Sequence, residues 1–335
     1  MKVKIILSVA LVLVGIFSQA QPGKLWLQYE GKQGPGKGKH IVFLSGDEEY
    51  RSEEALPLMA KILAEQHGFK CTVLFSINPA TGEVDPNEQT NIPGIENLQT
   101  ADLVFMMWRF RELPDDKMKY VDDYIQAGKP IIALRTSTHA FSYSRNKDSR
   151  FAKYSYNSKT PGWEGGFGRK FLGETWVAHH GDHGKEGTRA LINGVEGKHP
   201  VLTGVADIWG ETDVYTIRNL PADAQVILYG QVTLGMNPES KLSYEKSIMP
   251  LAWVRNYKHA NGKEARIFAS TLGTAVELKK NDMRRLLVNA VYWTLHMDNQ
   301  ITADTKIDIP GKYEPTMFGF GGHRKGLKPV DFELK

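Results

Sequence analysis

The strongest constraint in this chain is an alternation. Four short runs, HIVFLSG (40–46), KCTVLFS (70–76), ADLVFMMW (101–108) and KPIIALR (129–135), are apolar almost throughout and carry no polar alternation. Runs of that length and character predict strands buried on both faces. Between the first two, Ala55, Leu58, Met59, Ile62 and Leu63 recur at helical spacing, with Ser52 available as a cap and Gly68 as a stop. Pro57 leaves the start of that helix open. Between the last two, Pro114 opens a helix whose apolar side carries Met118, Val121 and Ile125, and Gly128 follows its end. Strand–helix–strand order with continuously apolar strands predicts a parallel sheet covered by helices, an α/β fold.

The second half is less regular. Segments 188–193, 224–230, 249–257 and 264–271 read as further strands, and a last helix carries Met283, Leu286, Leu287, Ala290 and Thr294 on one face. The chain begins MKVKIILSVALVLVGIFSQAQ, where Lys2 and Lys4 precede an apolar run from Ile5 to Phe17 and small residues end at Ala20. This pattern predicts a signal peptide over 1–20, cleaved near Ala20, and a mature protein that is secreted or periplasmic. Residues 21–37 are expected to form an exposed lead-in, 38–300 one domain, and 301–335 a tail packed on that domain.

Charge narrows the partners. The chain holds 42 Lys and Arg against 38 Asp and Glu. Without Lys2 and Lys4 the balance is 40 against 38, which gives no reason to expect nucleic acid as a partner. Past the leader no segment is apolar for long enough to span a bilayer. The single cysteine, Cys71, excludes an internal disulfide and reads as a buried structural thiol.

In open α/β sheets ligands bind beyond the carboxyl ends of the strands. That rule nominates Asp47 and Glu48 after the first strand, Arg109 after the third, and Arg135, Thr136, Thr138 and His139 after the fourth. Arg109 and Arg135 can fork onto sugar hydroxyls or a carboxylate, or Arg135 can pair with Asp47 or Glu48 to hold the loops. Thr136 and Thr138 can serve local backbone as readily as substrate. The segment WVAHHGDHGK places His179, His180, Asp182 and His183 within five positions, out of ten histidines in all. Three readings stand: a divalent metal site, an acid–base or sugar-binding imidazole, or a polar loop. The spacing matches no zinc signature, and in an extended segment His179 and His180 would point opposite ways.

Two glycine-rich stretches complete the picture. GWEGGFGRKFLG (162–173) has neither phosphate-loop nor dinucleotide spacing, so no nucleotide cofactor is expected; it reads as a flexible loop over the crevice. In the tail, MFGFGGHR presents Phe318, Phe320 and His323, rings that can stack on a sugar face or staple the tail to the domain.

HIVFLSGDEEY, ADLVFMMWRF, GKPIIALRTSTHAF, FLGETWVAHHGDH, GKHPVLTGVADIWGETDVYTI, PLAWVRNY, ARIFASTLG and MRRLLVNAVYWTL, in this order, resemble the ThuA-like (trehalose utilisation) family from about residue 38 to 297. The resemblance implies a flavodoxin-like, class I glutamine amidotransferase-like three-layer sandwich around a mainly parallel sheet. Amidotransferases place a nucleophilic Cys on a tight turn after a core strand; here Arg135 occupies that turn, Thr274 stands where many family members have His, and Cys71 lies on another strand. Cys-based amidotransfer is therefore excluded. The resemblance favours an acid–base role for the histidine loop. It implies a protein of carbohydrate utilisation acting on a glycoside or keto-sugar derivative, with His179, His180 or His183 as acid–base. A non-catalytic carbohydrate-binding protein and a metal-dependent hydrolase built on His179, His180 and His183 are the alternatives. No pair of carboxylates flanking a bond is evident, so two-carboxylate glycoside hydrolysis is not supported.

Overall fold

The computed structural model describes residues 24–195 and 198–334, so the leader at 1–20 lies outside the described residues. Ten strands form one sheet: β1 (Trp26–Tyr29), β2 (His40–Gly46), β3 (Lys70–Leu74), β4 (Leu103–Trp108), β5 (Ile131–Leu134), β6 (Gly187–Ile192), β7 (Trp209–Gly210), β8 (Ala224–Thr233), β9 (Met249–Lys258) and β10 (Glu264–Ser270). Their spatial order is β1-β3-β2-β4-β5-β10-β9-β8-β6-β7. Three α-helices accompany them: α1 (Ser52–His67), α2 (Asp115–Gln126) and α3 (Asn281–Thr294).

The period-two geometry of β2 shows why its run is apolar throughout. Ile41 and Phe43 enter the core shared with α1 and α3, whereas Val42 and Leu44 enter the core shared with α2. Both sides of the strand are dry, so neither can be polar. Helix α1 begins before Pro57 and ends at Gly68, whose φ of 81° lets its N–H return to the Ala64 carbonyl.

The expectation of a mainly parallel, flavodoxin-like sandwich is corrected. Strands β3, β2, β4, β5 and β10 pair in parallel, but the β1–β3, β10–β9, β9–β8, β8–β6 and β6–β7 ladders are antiparallel. The sheet is mixed, with the antiparallel ladders in the majority. The reason lies in the connections. A parallel pair needs a crossover of a dozen or more residues, usually a helix. No α-helix lies between β6 and β10, and only 259–263 separate β9 from β10, so those strands return as hairpins.

Two further expectations change. The lead-in is not wholly exposed: β1 adds an edge strand to β3 and buries Leu27 and Tyr29. The stretch 162–173 is not wholly a loop, because Gly168–Leu172 form a helical turn in which Phe171 and Leu172 are buried, as is Phe167 just before it. At the other end, tail residues Ile307, Phe332 and Leu334 enter the α1/α3 core. No helix among the described residues is long and apolar enough to cross a membrane.

Phe43 is fully buried on a central strand and packs on Phe105 at 5.2 Å between ring centroids. Phe43→Ala is expected to lower the unfolding free energy by about 3–5 kcal/mol through lost burial and the cavity left behind. Chemical denaturation measures it, and a loss under about 1 kcal/mol would contradict this placement.

Candidate functional site

Strand β2 delivers Asp47, Glu48 and Glu49 to one end of the parallel strands. Asp47 is fully buried; its carboxylate accepts from the Glu49 and Tyr50 backbone N–H groups at 2.8 and 2.5 Å and from the Thr136 hydroxyl. It therefore ties the loop after β2 to the loop after β5. Burial pushes its pKa upward, opposed by those hydrogen bonds. Glu48 accepts from Arg111 at 2.7 Å and Arg109 at 3.3 Å. Both carboxylates thus hold loops in place.

Arg135 occupies the tight turn after β5 with φ of +42°. A left-handed non-glycine residue costs about 1–3 kcal/mol and persists only where its surroundings dictate it. They do so here. The guanidinium is fully buried between the rings of Tyr50 and Tyr215, 4.2 and 4.4 Å from their centroids. It donates to the Thr212 hydroxyl at 2.7 Å, the Asp213 carbonyl at 3.0 Å, the Tyr50 hydroxyl at 3.0 Å and the Thr271 carbonyl. The expectation that Arg135 forks onto substrate is corrected, and so is its pairing with Asp47 or Glu48. Its ionic partner is Asp213, at 3.8 Å. Thr138 is likewise turned inward, donating to the Arg135 carbonyl at 3.2 Å.

The histidine loop resolves by strand geometry. Thr216 N–H donates to the Ala178 carbonyl and His180 N–H to the Val214 carbonyl, a short antiparallel pairing of 178–180 with 214–216. Adjacent side chains in such a segment point to opposite sides. His179 faces the crevice, with Nδ1 2.8 Å from Asp213 Oδ2. His180 points elsewhere, with Nε2 2.7 Å from the Ser247 carbonyl, so its place in a catalytic or metal set is corrected. The chain then turns back through Gly181, where an added Cβ would come within 2.8 Å of the Asp213 side chain. That turn brings His183 Nδ1 to 3.1 Å from Asp213 Oδ1 and Nε2 to 2.6 Å from Glu49 Oε1.

Asp213 and Glu49 are the residues that sequence reasoning missed. Glu49 stood in the nominated loop, and Asp213 in the segment ETDVY that carried the family resemblance. The Asp213 carboxylate is fully buried, which alone would raise its pKa; hydrogen bonds from His179 and His183 and the charge of Arg135 outweigh burial and hold it at about 2. His183 is raised to about 9 by Asp213 first and Glu49 second. His139 is pushed well below the usual imidazole range by burial, so it is neutral. Its ring lies among Phe110, Trp176 and Tyr215, at 5.2, 5.5 and 6.2 Å between centroids. Burial pushes the Cys71 thiol well up, in keeping with an inert core thiol.

A cavity of about 210 Å³ opens over this arrangement. Of the nominated residues, Arg109, Thr136, His139 and His179 line it, together with Glu49 and the rings of Phe110, Trp176, Tyr215 and Phe320. Asp47, Glu48, Arg135 and Thr138 lie beneath it as supports. One group among the described residues could hold a metal ion: His179, His183 and Asp213 offer ligand atoms within 4.8 Å of one another. Asp213, not His180, completes the set.

The parallel strands of this α/β sheet thus end in a polar, aromatic-walled crevice, with arginine on the turn after β5. The chain belongs to the ThuA family, described as trehalose utilisation, which matches residues 40–294. Two solved structures of proteins described as ThuA-like are similar to it. One, from Bacteroides uniformis, is 14% identical, covers 79% of this chain and 95% of its own, and has a TM-score of 0.46. The other, from Parabacteroides merdae, is 17% identical, covers 89% and 100%, and has a TM-score of 0.47. No curated protein matched the chain.

The ion pairs set a pH window. His183 has its folded pKa raised from 6.5 to about 9, so its stabilisation is complete below 6.5 and is lost as pH rises through about 9. Asp213 is lowered from 3.8 to about 2, so its share is complete above 3.8 and is lost on acidification toward 2. The melting temperature of the protein is expected to fall between pH 7 and 9.5 more steeply than that of His183→Gln. Parallel curves for the two would contradict the charge assignment.

Proposed function

We propose that the chain processes a keto-sugar derivative, with His179 as the general base that removes a proton beside the sugar carbonyl. The single observation that carries this is the His179–Asp213 contact at the cavity wall. A buried carboxylate holding Nδ1 fixes the proton there and leaves Nε2 with the lone pair, the tautomer a base requires. The Arg109 guanidinium, which lines the same cavity, favours negative charge developing on the carbonyl oxygen. Aromatic walls suit the CH faces of a sugar ring. Glu48 and Glu49 are each engaged by cations, which speaks against a free pair of carboxylates for ordinary glycoside hydrolysis. The apolar leader supports action outside the cytoplasm; retention of the full-length protein in the cytoplasm would contradict that part.

The test uses trehalose oxidised to a ketone on one ring, incubated with the protein in D2O and followed by NMR for exchange or loss of the proton next to the carbonyl. His179→Gln is expected to slow this step by roughly 10²–10⁴-fold while the probe still binds. Binding without any proton exchange in the wild type would leave a carbohydrate-binding protein instead. The convergence of His179, His183 and Asp213 favours a second reading, a divalent metal acting there. Loss of activity and of melting temperature on chelation, both restored by metal, would select it.

A further inference from the structure

The family match ends at residue 294, yet one wall of the cavity comes from beyond it. Residues 316–320 cross beside the crevice as a strap. Thr316 donates through its N–H and hydroxyl to Glu54 at 2.7 and 3.0 Å. Arg51 donates to the Thr316 hydroxyl at 3.1 Å and to the Gly319 carbonyl at 2.8 Å. Gly319 N–H in turn donates to the carbonyl of Glu49, whose carboxylate meets His183. Arg51 takes the left-handed conformation, φ 59°, to make these contacts, and it is buried.

The strap carries two rings with different environments. Phe318 packs against the α1/α3 core, on Tyr50 at 5.6 Å and His183 at 5.9 Å between centroids, so it staples the strap down. Phe320 is 61% exposed and belongs to neither core. Its ring lies 5.0 Å from the Arg109 guanidinium, which also lies 4.3 Å from the Phe110 ring, and it lines the cavity. A large ring held by a clamped strap yet left uncovered at a cavity wall has its contact surface free for a ligand. The cavity, at about 210 Å³, falls below the ~300–1,000 Å³ of drug-sized sites, so it accepts one ring, not an oligosaccharide.

We propose that Phe320, supplied by the tail, is a specificity-determining residue that stacks on a single sugar ring seated in the cavity. This rests on the sugar-processing reading above, and the experiment separates the two. Phe320→Ala, Phe320→Leu and Phe320→Tyr are compared with the wild type and His179→Gln, using the same singly oxidised trehalose as probe. Phe320→Ala is expected to raise KM roughly two- to tenfold, the range of one aromatic contact, with kcat and melting temperature unchanged. Phe320→Tyr restores KM, and Phe320→Leu does not. An unchanged KM in Phe320→Ala, while His179→Gln slows turnover roughly 10²–10⁴-fold, would overturn the stacking role and leave the reaction standing. A fall in melting temperature with kcat would make Phe320 a staple like Phe318, and also overturn it. A wild type that neither binds nor turns over the probe would remove the sugar reading and this inference together.

Discussion

Arg135 carries a positive charge into the interior on a fully buried side chain, which without compensation is among the most costly arrangements in a protein. Compensation at its two terminal nitrogens comes from two tyrosine rings, the hydroxyls of Thr212 and Tyr50, the carbonyls of residues 213 and 271, and the Asp213 carboxylate. These groups belong to the segments that follow β2, β7 and β10, while Arg135 itself follows β5. The need to satisfy one buried cation therefore gathers four separate parts of the chain at the same end of the sheet. The left-handed turn at Arg135 persists because these contacts dictate it.

The charge then passes outward. Asp213 lies between the arginine beneath and the two histidines above, so one buried carboxylate serves as the foundation of the crevice. His183 is in turn shared with Glu49, whose backbone carbonyl receives the tail. Cations and anions alternate along this path, so each buried charge has an opposite neighbour. The histidine exposed to the cavity, His179, is anchored through Nδ1 to this buried carboxylate.

Much of this was legible before any coordinates. The continuously apolar strands and the carboxyl-end rule led to Arg109, Thr136 and His139, and the histidine-rich segment to His179, all of which line the cavity. The opposite orientation of His179 and His180 also followed from extended geometry. The direction of the later strands did not come through, although the shortness of the 259–263 connection and the lack of an α-helix among the described residues between β6 and β10 carried the information. Asp213 and Glu49 were hidden for a different reason. Each is a carboxylate in a chain with 38 of them, and nothing local distinguishes the one that meets a histidine 30 residues away from those that face solvent.

Sequence alone determined the local terms: which segments are dry on both sides, where helices stop, that the one thiol is buried, and that no cysteine stands on the turn after β5. These depend on side-chain type and spacing over a few residues, and short-range chemistry decides them. Tertiary structure alone decided the roles. Arg135 became a strut and not a substrate clamp because a tyrosine 85 residues earlier and a threonine 77 residues later enclosed it. His183 became a cation because two carboxylates from distant loops converged on its ring. Burial and charge pairing set what an ionisable group can do, and both are properties of the folded neighbourhood.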